Sequence, residues 1–125
     1  MAIQFEKTVP LLRIFDLPKA KEFYVDLLGF TIDWEHRFDE RAPIYMSVSR
    51  GTLALHLTEH YGDCCPGTTV YVSMRGIEEF HREIMAKSYG YMRPGIGQTE
   101  WGSKMMQVID PFGNRIRFDE PKQGG

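Results

Sequence analysis

The chain has 125 residues, 42% of them hydrophobic and 26% charged, which is the balance of one globular domain with a substantial core. Its formal net charge of −2, from 17 acidic and 15 basic residues without a basic run, argues against a nucleic-acid partner. No segment reaches the roughly 18 apolar residues of a membrane span, and the start "MAIQFEKTV" lacks the apolar centre of a signal peptide, so we expect a cytoplasmic protein without membrane association.

The first half of the chain predicts a strand, a helix and three further strands. Residues 8–15 are apolar and rich in strand-forming side chains. Asp16 suits a helix N-cap, and the apolar stripe after it continues to Gly29, a typical C-terminal cap. Three alternating segments, 30–38, 43–50 and 53–59, then predict strands.

The second half repeats this order. Residues 68–74 predict a strand and residues 76–90 a helix. Three more strand candidates follow at 91–96, 104–110 and 114–120. An internal repeat of this size indicates two copies of one α+β unit that pair to bury their sheets. We therefore expect one domain over residues 1–125, with a first βαβββ module at about 8–59 and a second at about 68–120.

The alternation also predicts which side chains share a face. Phe30, Ile32 and Trp34 are expected on one side of their strand. Leu53, Leu55 and Leu57 are best placed against a helix, which leaves His56 on the opposite face. By the same reasoning that face also includes Arg13, Tyr71, Arg115 and Arg117. An apolar lining with a few polar groups is typical of a small-molecule pocket, although a polar network at an interface has the same composition.

Two segments resemble a known superfamily. "TVPLLRIFDLPKAKEFYVDLLGF" and "QTEWGSKMMQVIDPFGNRIRF" are similar to the signature segments of the vicinal-oxygen-chelate superfamily, which includes glyoxalase I, extradiol dioxygenases and bleomycin-resistance proteins. The details match the bleomycin-resistance proteins best, at Val9-Pro10, Arg75 to Glu79, Trp101-Gly102 and Asp110 to Asn114. The resemblance implies the glyoxalase/bleomycin-resistance fold, with cupped mixed sheets and a homodimer. Pro10 matches the hinge where the family exchanges its N-terminal arm, or it is a plain edge-strand proline.

The resemblance also locates the four positions that hold a metal ion in the superfamily's enzymes. They correspond here to Val9, His56, Thr69 and Arg117, of which only His56 is a good ligand. A single imidazole does not make a metal site, so we expect no metal and no other cofactor. His60, Cys64 and Cys65 form a looser group that we interpret as a polar loop with reduced thiols.

In the bleomycin-resistance proteins, ligands stack on aromatic side chains in two clefts at the dimer interface. The corresponding ligand-binding candidates are Asp33, Trp34, His56, Tyr71 and Trp101, to which the face assignment adds Arg117. We expect a metal-independent protein that sequesters a planar antibiotic or metabolite, with no catalytic residue. Basic residues near this region, including Arg13, Arg37 and Arg41, also leave room for an anionic or neutral ligand.

Two alternatives remain at this stage. In the first alternative, the chain is a glyoxalase- or dioxygenase-type enzyme, a lyase or oxidoreductase, with an atypical metal site or with His56 as a general base. In the second, it is a structural or regulatory module with no small ligand. The fold by itself does not decide among these functions, because it hosts many of them.

Overall fold

The protein is built from two four-stranded mixed sheets, in a computed structural model that describes residues 2–87 and 93–122. The first sheet has the order β1-β4-β3-β2 and contains β1 (Leu11–Arg13), β2 (Thr31–His36), β3 (Tyr45–Arg50) and β4 (Leu53–Thr58). The second has the order β5-β8-β7-β6 and contains β5 (Thr69–Ser73), β6 (Ile96–Gln98), β7 (Lys104–Ile109) and β8 (Arg115–Glu120). The predicted α+β fold is therefore confirmed.

The two sheets share one connectivity. β1 lies parallel to β4 and β5 lies parallel to β8, while the remaining neighbours are antiparallel. Helix α1 (Leu17–Lys21) follows β1, and helix α2 (Ile77–Met85) follows β5 and contacts β7 and β8. Parts of the predicted helix 76–90 and strand 91–96 lie outside the described residues. Among the described helices, none is long and apolar enough to cross a membrane.

The first helix changes its winding part-way along. The Asp16 carboxylate accepts from the Lys19 amide at 3.0 Å, as expected of an N-cap. After Lys21 the helix continues as a π-helical segment (Glu22–Leu27), in which the Leu28 amide donates to the Phe23 carbonyl at 3.0 Å. The apolar stripe does not reveal this change, because its side chains are buried in either winding. Gly29 then reverses the chain with φ 78°, a conformation that favours glycine.

Strand β1 is shorter than the apolar run 8–15 that predicts it. The His56 amide donates to the Pro10 carbonyl at 2.9 Å, and paired residues begin at Leu11. Pro10 accepts this hydrogen bond but has no amide hydrogen to donate in return, so the regular ladder does not extend to it. Residues 2–10 therefore precede the sheet as a segment without helix or strand structure.

A β-bulge in β2 corrects the prediction for Trp34. Ile32 is opposite Val48 and Trp34 is opposite Ser47, so Asp33 is the extra residue. Ile32 consequently packs against the core, whereas Trp34 is on the other face and 45% exposed. The expectation that Trp34 shares a side with Phe30 and Ile32 is wrong, because simple alternation fails across a bulge.

Both sheets turn one face into a common core. The hydrophobic strand residues of this core lie at alternate positions of β1, β3, β4, β5, β7 and β8. They are Leu12, Met46, Val48, Leu55, Leu57, Val70, Met106, Val108, Ile116 and Phe118. We call the opposite face of each sheet, which does not contribute to this core, its open face.

A buried hydrogen-bond network joins the two repeats. The Tyr24 hydroxyl donates to Asp110 Oδ2 at 2.6 Å, and Asn114 Nδ2 donates to the same oxygen at 2.9 Å and to the Arg13 carbonyl at 2.7 Å. All three polar side chains are buried. Burial, reinforced by the charge of Asp110, holds the pKa of Tyr24 well above its ordinary value, so its hydroxyl remains a donor.

We predict that Asn114→Ala lowers the free energy of unfolding by about 2–3 kcal/mol, because it leaves several buried partners unsatisfied. Urea denaturation followed by circular dichroism measures this loss. Gln98→Ala, on exposed β6, is the control and should change stability by less than ~0.5 kcal/mol. Equal effects of the two substitutions would show that the network does not stabilise the fold.

Candidate ligand-binding site

An aromatic group covers the open face of the first sheet. The Trp34 and Tyr45 rings are nearly parallel, at 9° and 5.8 Å between centroids. The His56 ring lies edge-on to both, 5.3 Å from Trp34 and 5.2 Å from Tyr45. We call Trp34, Tyr45 and His56 the aromatic triad. Each residue comes from a different strand, so the sheet itself fixes their arrangement.

The Tyr45 hydroxyl and His56 Nδ1 are hydrogen-bonded at 2.7 Å. When the hydroxyl donates, the neutral imidazole has its own proton on Nε2, which is then free to face a ligand. Burial lowers the pKa of His56, with a further contribution from the positive charge of Lys7 that outweighs the attraction of Asp33. The neutral form of His56 therefore predominates at pH 7, and the triad presents mostly uncharged rings.

Asp33 borders the triad and has two side-chain partners. Ser47 Oγ donates to Asp33 Oδ2 at 3.0 Å, and Ser49 Oγ donates to Oδ1 at 2.8 Å. Both serines are on β3, on the same face as Tyr45, because alternate residues of a strand share a face. The bulge thus brings the carboxylate of Asp33 and the ring of Trp34 to the same open face.

Further rings extend this face beyond the triad. Phe38 lies edge-on to His36 at 5.0 Å and to His60 at 6.3 Å. His60 is in turn 6.4 Å from the Tyr45 ring. His60 was expected only as part of a polar loop, and its sequence position gave no sign that it lies near Tyr45.

The open face of the second sheet holds a polar row. Tyr71, Arg117 and Gln107 lie opposite one another on β5, β8 and β7, and Arg117 Nε donates to Gln107 Oε1 at 2.9 Å. The Tyr71 hydroxyl donates to buried Asp119, and this hydrogen bond raises the pKa of Tyr71. The tyrosine ring is therefore held in place while remaining 58% exposed.

Trp101 lies outside both the aromatic triad and the polar row of the second sheet. It lies in the turn between β6 and β7, where the Thr99 amide donates to the Ser103 carbonyl at 2.9 Å, and it is 69% exposed. In the portion of the chain that is described, no hydrogen bond, ion pair or ring contact connects Trp101 to the triad.

The candidates from the sequence thus divide between two faces. Asp33, Trp34 and His56 meet on the first sheet, and Tyr71 and Arg117 meet on the second. Tyr45 is a site residue that the sequence reasoning did not select. Its signal was present, because alternation places Tyr45 opposite the buried Ile44 and Met46 and on the face of His56.

The residues at the superfamily's metal positions do not fit a metal ion. Val9 has no donor atom, and Arg117 presents a permanent cation that is already bonded to Gln107. His56 already uses Nδ1 for Tyr45. Over residues 2–87 and 93–122, no three His, Cys, Asp or Glu side chains form a group that could hold a metal.

Comparison with known proteins places this arrangement in a family. The model of a family described as "Glyoxalase superfamily protein" matches residues 1–125, which is the whole chain. The chain belongs to the glyoxalase superfamily. The two mixed sheets and the sequence resemblance noted above agree with this assignment.

Several members of the glyoxalase superfamily with known properties are similar to this chain. A bleomycin resistance protein of Geobacillus stearothermophilus is 26% identical over 90% of this chain and 94% of its own length. The structure of a bleomycin-binding protein complexed with bleomycin has a TM-score of 0.71 and 25% identity, over 94% of this chain and 100% of that one. A bleomycin-binding protein of Streptomyces verticillus, complexed with copper(II)-bleomycin, has a TM-score of 0.69 and 28% identity, over 97% and 100% respectively.

We predict that this glyoxalase superfamily member loses stability as the pH falls below about 6.5, in part through His56. The lowered pKa means that the unfolded chain binds a proton at His56 before the folded chain does. Stability is therefore full above the ordinary histidine pKa, falls between that value and the lowered one, and then becomes level. Urea denaturation at a series of pH values measures this profile.

His56→Gln is the matched variant, because it keeps a polar side chain that does not titrate. It should flatten the slope between pH 6.5 and the lowered pKa relative to the unsubstituted protein. An unchanged slope in His56→Gln would show that His56 is not perturbed in the folded state.

Proposed function

We propose that the protein binds and sequesters a planar, ring-containing small molecule on the aromatic triad without changing it chemically. The observation that supports this most directly is the stacked pair of Trp34 and Tyr45, with His56 edge-on, on an exposed sheet face. Large aromatic side chains are normally buried, so a pre-arranged group with Trp34 exposed and Tyr45 and His56 partly exposed indicates a binding surface.

The chemistry of the triad favours particular ligands. Exposed ring faces attract planar rings through stacking and attract cations through the ring quadrupole. The carboxylate of Asp33, fixed by Ser47 and Ser49, adds a hydrogen-bond acceptor with negative charge at the edge of the stack. A flat heteroaromatic group with a donor or cationic substituent satisfies both features, which agrees with the bleomycin bound by the relatives.

We further propose that the complete site needs a second copy of the chain. The triad is on the first sheet, whereas Tyr71 and Arg117 are on the second, and no hydrogen bond, ion pair or ring contact joins the two sets in the described part of a single chain. A homodimer that faces the first sheet of one chain with the second sheet of its partner would unite them, with Trp101 at the rim. All six expected ligand-binding residues are then members of one cleft.

The proposed binding requires no metal ion, because stacking and hydrogen bonds supply the affinity. We also keep as a prediction a cytoplasmic location, where Cys64 and Cys65 would remain reduced. Both thiols are free in the structure, and burial raises the pKa of Cys64, which makes it less reactive.

We predict that bleomycin quenches or shifts the tryptophan fluorescence of the purified protein at micromolar concentration. Trp34→Ala should weaken binding by about tenfold or more, because it removes one of the two stacked rings. Trp34→Ala also removes one of the two tryptophans that give the fluorescence signal. The affinity of each variant is therefore measured by isothermal titration calorimetry, which does not depend on that signal.

Gln98→Ala, on the exposed strand β6, is a control that leaves both the aromatic triad and the segment before β1 intact. No spectral change with micromolar bleomycin would exclude this drug as the ligand.

Elemental analysis of the purified protein provides the test against the enzyme alternative. Stoichiometric zinc, nickel, manganese or iron would overturn metal-independent sequestration in favour of catalysis.

We predict a homodimer in analytical ultracentrifugation, stabilised by the segment before β1. In the single chain Ile3 is 87% exposed and Phe5 is 95% exposed, so both would gain by burial against a partner. Replacing both with serine should increase the dimer dissociation constant by at least about tenfold. A wild-type monomer at high concentration would contradict the proposed dimer, and an unaffected double variant would contradict the role of the arm.

A further inference from the structure

A cavity lies at one end of the first sheet. It has a volume of about 400 Å³ and is bounded by the last residues of β1, the segment after β4 and the loop between β2 and β3. Its lining shares no residue with the aromatic triad. The charged residues that line it are Arg13, Arg37, Arg41 and Glu59.

The three arginines have no carboxylate partner in the described parts of the chain. Arg37 Nη1 donates to the Ala42 carbonyl at 2.9 Å, and the hydrogen bonds of Arg13 include one of 3.5 Å to the Tyr61 carbonyl. Neither contact neutralises a guanidinium group. The Nε–H group of Arg13 is also buried without a hydrogen-bond acceptor, so one donor of this side chain is unsatisfied.

The neighbouring carboxylates are engaged by other groups. Glu59 Oε1 accepts from the Ile44 amide at 3.0 Å, Asp39 Oδ1 accepts from the Arg41 amide at 2.8 Å, and Asp63 Oδ2 accepts from Thr58 Oγ1 at 2.7 Å. Each carboxylate therefore fixes the local backbone or a hydroxyl rather than a guanidinium. The lining itself has three guanidinium groups against the single carboxylate of Glu59, so it has an excess of positive charge.

Two aromatic rings hold the Arg13 side chain in place. Its Cζ atom is 4.7 Å from the centroid of Phe15 and 5.9 Å from that of Tyr61. Stacking against rings restrains a guanidinium group while leaving its edge free for hydrogen bonding. Arg13 is thus prearranged, whereas Arg37 and Arg41 come from an exposed loop.

From these observations we infer that the cavity is an oxyanion-binding site that accepts a phosphate or a carboxylate group. Guanidinium groups match both oxyanions, because each can accept two parallel N–H hydrogen bonds. A bound oxyanion would neutralise the excess charge of the three guanidinium groups. The inference does not depend on the proposed stacking function, since small anions without a ring are sufficient to test it.

The test is a ¹H–¹⁵N NMR titration of the full chain with inorganic phosphate and, separately, with succinate, at ionic strength held constant with sodium chloride. We expect saturable shifts of the Arg13 Nε–H signal and of the Phe15, Ala42 and Glu59 amides. The anion with the lower dissociation constant identifies the preferred group. Linear shifts that do not saturate, or shifts spread over all basic residues, would overturn the inference.

Three variants complete the experiment. Arg13→Gln and Arg41→Gln should each weaken binding by about tenfold, whereas Arg82→Gln, on the exposed side of α2, removes the same charge elsewhere and should have no effect. Arg41 is in an exposed loop, so Arg41→Gln keeps the test valid if Arg13→Gln fails to fold. Equal losses in Arg41→Gln and Arg82→Gln would reduce the effect to net charge and contradict a specific site.

Discussion

The buried contacts around Asp110 hold the two repeats in a fixed relation, and both open faces depend on that relation. Asp110 Oδ1 accepts from the amides of Phe112 and Asn114, which shapes the turn before β8. The other oxygen meets the hydroxyl of Tyr24, and Asn114 continues to the Arg13 carbonyl. A buried carboxylate is costly unless it is fully hydrogen-bonded, so this geometry tolerates little movement between the π-helical segment and the second sheet.

A second constraint is the bulge at Asp33, which converts an ordinary strand into part of a site. Without the extra residue, Trp34 would follow Ile32 into the core and the stack with Tyr45 could not form. With it, a carboxylate and an indole ring reach the same face from consecutive positions. The two serines that hold Asp33 remove its freedom to rotate away from that face.

Much of the fold could be predicted from the sequence, because alternation and helix capping are local. The faces of β3 and β4, the N-cap at Asp16 and the repeated order of elements all follow from neighbouring residues. The bulge and the π-helical segment could not be predicted, since each changes register without changing composition. For the candidate site, the family motif proposed His56 and Trp34, whereas the contact of Tyr45 with both depends on cross-strand register, which a single sequence does not specify.

The division of the candidates between two sheets has a consequence for how a ligand would be recognised. The first sheet offers rings with no net charge and one fixed carboxylate, whereas the second offers Tyr71 beside the cation of Arg117. A ligand enclosed between them meets opposite charges on its two sides, so its own charge distribution must be asymmetric to bind well. Selectivity would then come from matching this asymmetry, while affinity comes from the area of ring that is stacked. A flat, uncharged molecule would gain the affinity that comes from stacking but not the selectivity that comes from matching charges.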